Sequence, residues 1–119
     1  MTKKVVVYRQ GDVNLLPIDK IPSGAIQDAP IDGDKTVLAY GEVTGHAHVL
    51  PFIHAKQYKI GSTGNQREFI KIDKETTMRH GDLKTGSNPD HAPIKIPAGN
   101  YEKIIAREAT PTGVRRVVD

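Results

Sequence analysis

Apolar and polar residues alternate over short windows along most of this chain, and no window keeps the three-to-four-residue recurrence of an amphipathic helix. The first strand is expected over residues 5–8, three valines and a tyrosine, closed by the turn signal Gln10-Gly11-Asp12, with a second over 13–18. Residues 19–34 carry Pro22, Gly24, Pro30 and Gly33 among scattered apolar positions, which predicts a long surface loop. Strand character resumes over 36–43, with a bulge expected at Tyr40-Gly41, and over 46–52 until Pro51 interrupts; this pair is expected at the centre of the sheet. Residues 57–60 and 68–72 alternate around the loop Gly61-Ser62-Thr63-Gly64-Asn65 and predict a hairpin. The remaining strands are expected over 76–79, 94–96, 101–107 and 114–118, separated by turns at 73–75 and 97–100 and by polar loops at 81–89 and 111–113.

Many short strands, punctuated by Gly and Pro and with nothing to serve as a crossover helix, imply an all-β fold: a small antiparallel β-sandwich or barrel with long Gly/Pro-rich loops. At 119 residues the chain has room for one core, so residues 1–119 are read as a single β-rich domain.

Composition narrows the picture. A hydrophobic share of 37%, with no Trp and 5% aromatic residues, predicts a thin core of Val, Ile and Leu that gains from burial against other copies, so a homo-oligomer is expected. The net charge of +3 is spread along the chain, and its densest group is Arg115-Arg116. A nucleic-acid surface would cluster its cations and interleave aromatics, so nucleic acid is not an expected partner. Absence of cysteine excludes disulfides, thiolate metal sites and thiol nucleophiles. No apolar run is long enough to cross a bilayer, and the run after Lys3-Lys4 ends at Arg9, too short for a signal peptide. A cytoplasmic or virion-associated protein is expected.

The stretch Gly41-Glu42-Val43-Thr44-Gly45-His46-Ala47-His48-Val49-Leu50 concentrates the candidate chemistry. On a strand, His46 and His48 leave the same face about 6 to 7 Å apart, a spacing that suits one metal ion. His80 and His91, beside later strands, are the candidates to complete the shell of a divalent transition metal (Zn, Fe or Ni), with Asp82 and Asp90 to add a carboxylate directly or to hold a ring in its tautomer, and Glu42 a further outside candidate. Two other readings of the same residues stand beside this one. Histidines on a strand are commonly half-buried groups bonded to a neighbour, and several imidazoles close together form a proton-responsive cluster. The serines, Ser23, Ser62 and Ser87, lie in no nucleophile elbow, and the 61–64 segment lacks the lysine of a phosphate loop.

Four segments carry a resemblance: residues 8–13, the block 38–48 ending in Gly45-His46-Ala47-His48, the segment 91–101 beginning His91-Ala92-Pro93-Ile94, and the ending 110–119. Together they resemble a family of small uncharacterised proteins from bacteria and phages. That family has a compact His-x-x-His before its Pro-Ile segment; here residues 81–90 separate His80 from His91, while His46, His48 and His91 carry over directly. A looser likeness is to cupins, whose first motif also has His-x-His after glycine; the chain departs from it in having no Glu after His48 at the cupin distance and Glu102, not His, three positions after Gly99. The expected function is a non-catalytic assembly protein, in a phage setting a particle component such as a capsid decoration protein, whose histidines bind a divalent metal or line a subunit contact. The alternative is a cupin-like metal-dependent enzyme acting on a small polar substrate.

Overall fold

The computed structural model describes residues 6–41, 45–62, 64–84 and 91–106, with His91 described by its backbone alone. Ten strands follow in order: β1 (Tyr8–Gln10), β2 (Val13–Ile18), β3 (Ile26–Gln27), β4 (Lys35–Tyr40), β5 (His46–Pro51), β6 (Ala55–Ile60), β7 (Arg67–Ile72), β8 (Thr76–Asp82), β9 (His91–Ile96) and β10 (Gly99–Ile105). There is no helix among the described residues. The strands form two antiparallel sheets, one of six in the order β1-β2-β10-β7-β6-β3 and one of four in the order β4-β5-β8-β9, packed as a sandwich. The expected all-β sandwich is the observed fold, and it is not a closed barrel.

Period-two patterning explains how the sheets face one another. Val13 and Leu15 on β2, Ala55 on β6, Ile70 and Ile72 on β7 and Tyr101 on β10 meet Leu38, Leu50, Met78 and Ile96 from the other sheet in one buried cluster. Tyr101 also meets Tyr8 edge-on, with ring centroids 5.9 Å apart, and donates its hydroxyl to Pro97 O at 2.7 Å. The β6–β7 hairpin pairs in continuous register from Ala55↔Ile72 to Ile60↔Arg67, as its alternation predicts.

Several expectations need correction. The strand expected over 5–8 is Tyr8–Gln10, because its register is set by the tight turn in which Gly11, at φ 59°, lets Gln10 pair with Val13. The loop expected over 19–34 contains the two-residue strand β3, which pairs Ile26 with Lys59 and Gln27 with Tyr58 at one edge of the larger sheet. β4 is an edge strand rather than a central one, and its irregularity falls between Val37 and Ala39 instead of at Tyr40-Gly41. The strand expected over 114–118 lies outside the described residues.

The sheets approach along two seams. β1 runs beside β9 on one side, and β4 runs beside β6 on the other. Each seam is joined by buried polar side chains.

Candidate histidine site

At the first seam the registers bring the histidines together. His48 on β5 is the direct cross-strand partner of His80 on β8, and His80 is in turn the partner of His91 on β9. His46, two residues before His48, is half-buried and pairs with Asp82. The registers thus place residues from mid-chain and from much later on neighbouring strands. His48 and His80 are only 1% and 6% exposed, so both rings face the interior. Their rings stack with centroids 3.7 Å apart and planes inclined by 24°. His54 is apart from this group, 3.3 Å from Asp73.

Gln10 organises the site. Its Nε2 donates to Met78 O at 2.9 Å and to Ala92 O at 3.0 Å, clamping the edge of the larger sheet onto β8 and β9. Both amide hydrogens are then used, so the side-chain oxygen is an acceptor, and it stands 3.0 Å from Nδ1 of His48. The proton of a neutral His48 is thereby fixed on Nδ1, and the other nitrogen, Nε2, faces Asp12 Oδ1 at 3.6 Å. Asp12 is held there by the same Gly11 turn that ends β1. On the far side, a methyl group built on Gly41 would meet His80 Nε2 at 2.5 Å, so only glycine leaves room for the ring. Gly41 is fixed by its N–H donating to His46 O at 2.9 Å.

A metal-ligating histidine characteristically donates its other N–H to an oxygen acceptor, as His48 does to Gln10. The 3.6 Å span from Nε2 to Asp12 Oδ1 accommodates two metal bonds of about 2.0 to 2.2 Å. Among the described residues, no group of three or more His, Asp or Glu side chains stands close enough to hold an ion. The parallel stack supplies a reason: imidazole lone pairs lie in the ring plane, so two stacked rings aim past, rather than at, a common point. Glu102, at the position where a cupin would have its later histidine, accepts both Arg67 Nε and Nη2 at 2.9 Å and stands apart from the histidines. That contact raises the Arg67 pKa, chiefly through the hydrogen bond itself.

The second seam holds a buried lysine. Lys103 is 8% exposed, and its ammonium donates to Leu38 O at 2.6 Å, Gln57 Oε1 at 2.7 Å and Glu68 Oε2 at 3.0 Å. Burial lowers its pKa, against the opposing pull of the Glu68 carboxylate. Sequence reasoning missed Gln10 and Asp12 as parts of the first site and Lys103 in the second. Only Lys103 carried a signal, since it occupies the apolar phase of β10 between Tyr101 and Ile105.

Fold and site together define a small antiparallel β-sandwich with an inward-facing histidine cluster. The chain belongs to the family described as Domain of unknown function (DUF8820), which matches residues 9–106 and so takes in the whole site. Neither the curated proteins nor the solved structures compared with it give a match.

Proposed function

We propose that this protein is a non-catalytic subunit of a homo-oligomeric assembly, and that its histidine cluster holds a divalent transition metal (Zn, Fe or Ni). The observation that carries the metal reading is the pinned tautomer of His48: Nδ1–H donates to Gln10 Oε1, and Nε2 is directed at Asp12. His91, His80 and His46, neighbours of His48 in the registers of β5, β8 and β9, are the remaining candidate donors in this reading, and His80 joins only by turning out of its stack on His48. Assembly is supported by the apolar side chains turned outward on so small a core, Ile26, Tyr40 and Ile53 foremost. In a phage setting, as the resemblance implies, the assembly is a particle such as a decorated capsid. Native mass spectrometry of tag-free protein tests both halves, because it reads chains per particle and metal per chain at once. A multimer with about one ion per chain is expected; a bare monomer at every concentration contradicts the proposal.

The stacked pair favours a second reading, a proton-responsive joint. At an effective dielectric constant of about 20, two unit charges about 4 Å apart repel by about 4 kcal/mol. Asp12 beside His48, with His46 and Asp82 at the adjoining register position, offsets one added proton more readily than two. In this reading acid weakens the wild-type fold more than it weakens His80→Phe, measured as the urea midpoint at pH 7.5 and 5.5. Equal losses in the two proteins count against it. The cupin-like enzyme is the third reading; it needs an open metal position facing a small polar substrate, and the engagement of Glu102 by Arg67 weighs against it.

A further inference from the structure

The seam between β4 and β6 opens into a cleft of about 320 Å³, within the size range of small-molecule sites. Its polar end follows from register. Lys103, Glu68 and Lys59 are direct cross-strand partners on β10, β7 and β6, so they share one face of the sheet. Lys103 uses all three of its donors on Leu38, Gln57 and Glu68 and is a strut behind the cleft. Gln57, held by Lys103, donates to Asp28 Oδ2 at 2.9 Å, and Lys59 Nζ stands 3.4 Å from the same oxygen. Asp28 Oδ1 accepts no hydrogen bond from any described residue. A carboxylate and an ammonium thus stand side by side at the mouth, their side chains 31% and 37% exposed. The rest of the cleft is lined by Ala29, Ile31, Thr36, Val37 and Tyr40, the last 66% exposed although it borders a concave surface.

We propose that this cleft binds a small zwitterion of the α-amino-acid class with an apolar side chain. The ligand's ammonium meets Asp28 Oδ1, its carboxylate meets Lys59 Nζ, and its side chain packs on Ile31, Val37 and Tyr40. The charge balance selects this class. Two ammonium groups, Lys59 and Lys103, and two carboxylates, Asp28 and Glu68, sum to zero, so a lone anion or a lone cation meets as much repulsion as attraction. A ligand with adjacent opposite charges meets attraction at both ends. An added peptide strand is disfavoured because the carbonyls of Val37 and Leu38 on β4 are already capped by Gln57 and Lys103. The Lys103–Gln57–Asp28 chain fixes the receptor before a ligand arrives, which lowers the ordering cost of binding.

The test is an amide ¹⁵N NMR titration of the full chain with L-leucine and L-phenylalanine, then with N-acetyl-L-leucine, which lacks the ammonium, and L-leucinamide, which lacks the carboxylate. Saturable shifts confined to residues around 28–40 and 57–59 are expected, weakened roughly tenfold or more by either blocking group. Asp28→Asn and Tyr40→Ala each weaken binding by a similar factor, and Tyr40→Ala, at an exposed ring, leaves the fold intact and keeps the test decisive should Asp28→Asn unfold. No shifts at millimolar ligand, equal binding of the blocked derivatives, or shifts centred elsewhere overturn the proposal.

Discussion

Gln10 and His48 come from different sheets, and a single hydrogen bond of 3.0 Å between Oε1 and Nδ1 ties them across the interior. The same glutamine caps two backbone carbonyls, so one side chain satisfies three buried groups. Gln10→Met keeps the length and removes every one of those bonds. It is expected to cost about 3 kcal/mol, since each buried polar group left unsatisfied costs about 1 to 3 kcal/mol. A urea midpoint within error of wild type would show that the clamp contributes nothing.

Gly41 carries a steric prediction. An added Cβ meets a buried, stacked ring that has little freedom to retreat, so Gly41→Ala is expected to destabilise by about 1 to 3 kcal/mol. The imidazole resonances of His48 and His80 should shift together in this variant. Gly33→Ala is a contrast case: no atom lies within 4 Å of its added methyl group, so its cost comes only from the positive φ of 79°.

Lys103→Met leaves Leu38 O and Gln57 Oε1 without their donor and Glu68 without its partner. Removing one member of a buried ion pair costs about 3 to 5 kcal/mol, and the lower end is expected because Glu68 is 28% exposed. The double variant Lys103→Met, Glu68→Leu should recover part of that loss. Chemical denaturation of the set gives the coupling directly.

Alkaline pH acts through Tyr101. Burial, with Tyr8 nearby, pushes its pKa up from 10.0 to about 12. Between these values the unfolded chain has released the phenolic proton and the folded chain has kept it, so stability contributed below pH 10 is lost as pH rises toward 12. Ultraviolet titration of the four tyrosines should show one phenol ionising last, together with unfolding. Tyr101→Phe removes that late step. A wild-type titration identical to that of Tyr101→Phe above pH 10 would contradict the burial argument.

The alternation of apolar and polar residues made the fold class legible, as the β6–β7 hairpin and the common inward phase of Ile70 and Ile72 illustrate. The pairing of sheets was not legible, because local pattern says which face of a strand is buried and not against which strand. β4 became an edge for that reason. His46 and His48 could be put on one face from spacing alone, yet the stack of His48 on His80 depends on a cross-strand register that only the folded chain sets. Gln10 looked like part of a turn; its role comes from the approach of β1 to β9, some eighty positions later in the chain.

The central claim is that the histidine cluster is a metal centre. Titration of metal-free, tag-free protein with zinc, followed by calorimetry at pH 7.5, tests it most directly, with His48→Ala and Asp12→Asn measured alongside. About one zinc per chain is expected, with binding abolished by His48→Ala and weakened by about tenfold to a hundredfold in Asp12→Asn. Zinc uptake that is absent from wild type, or that survives unchanged in His48→Ala, would contradict it.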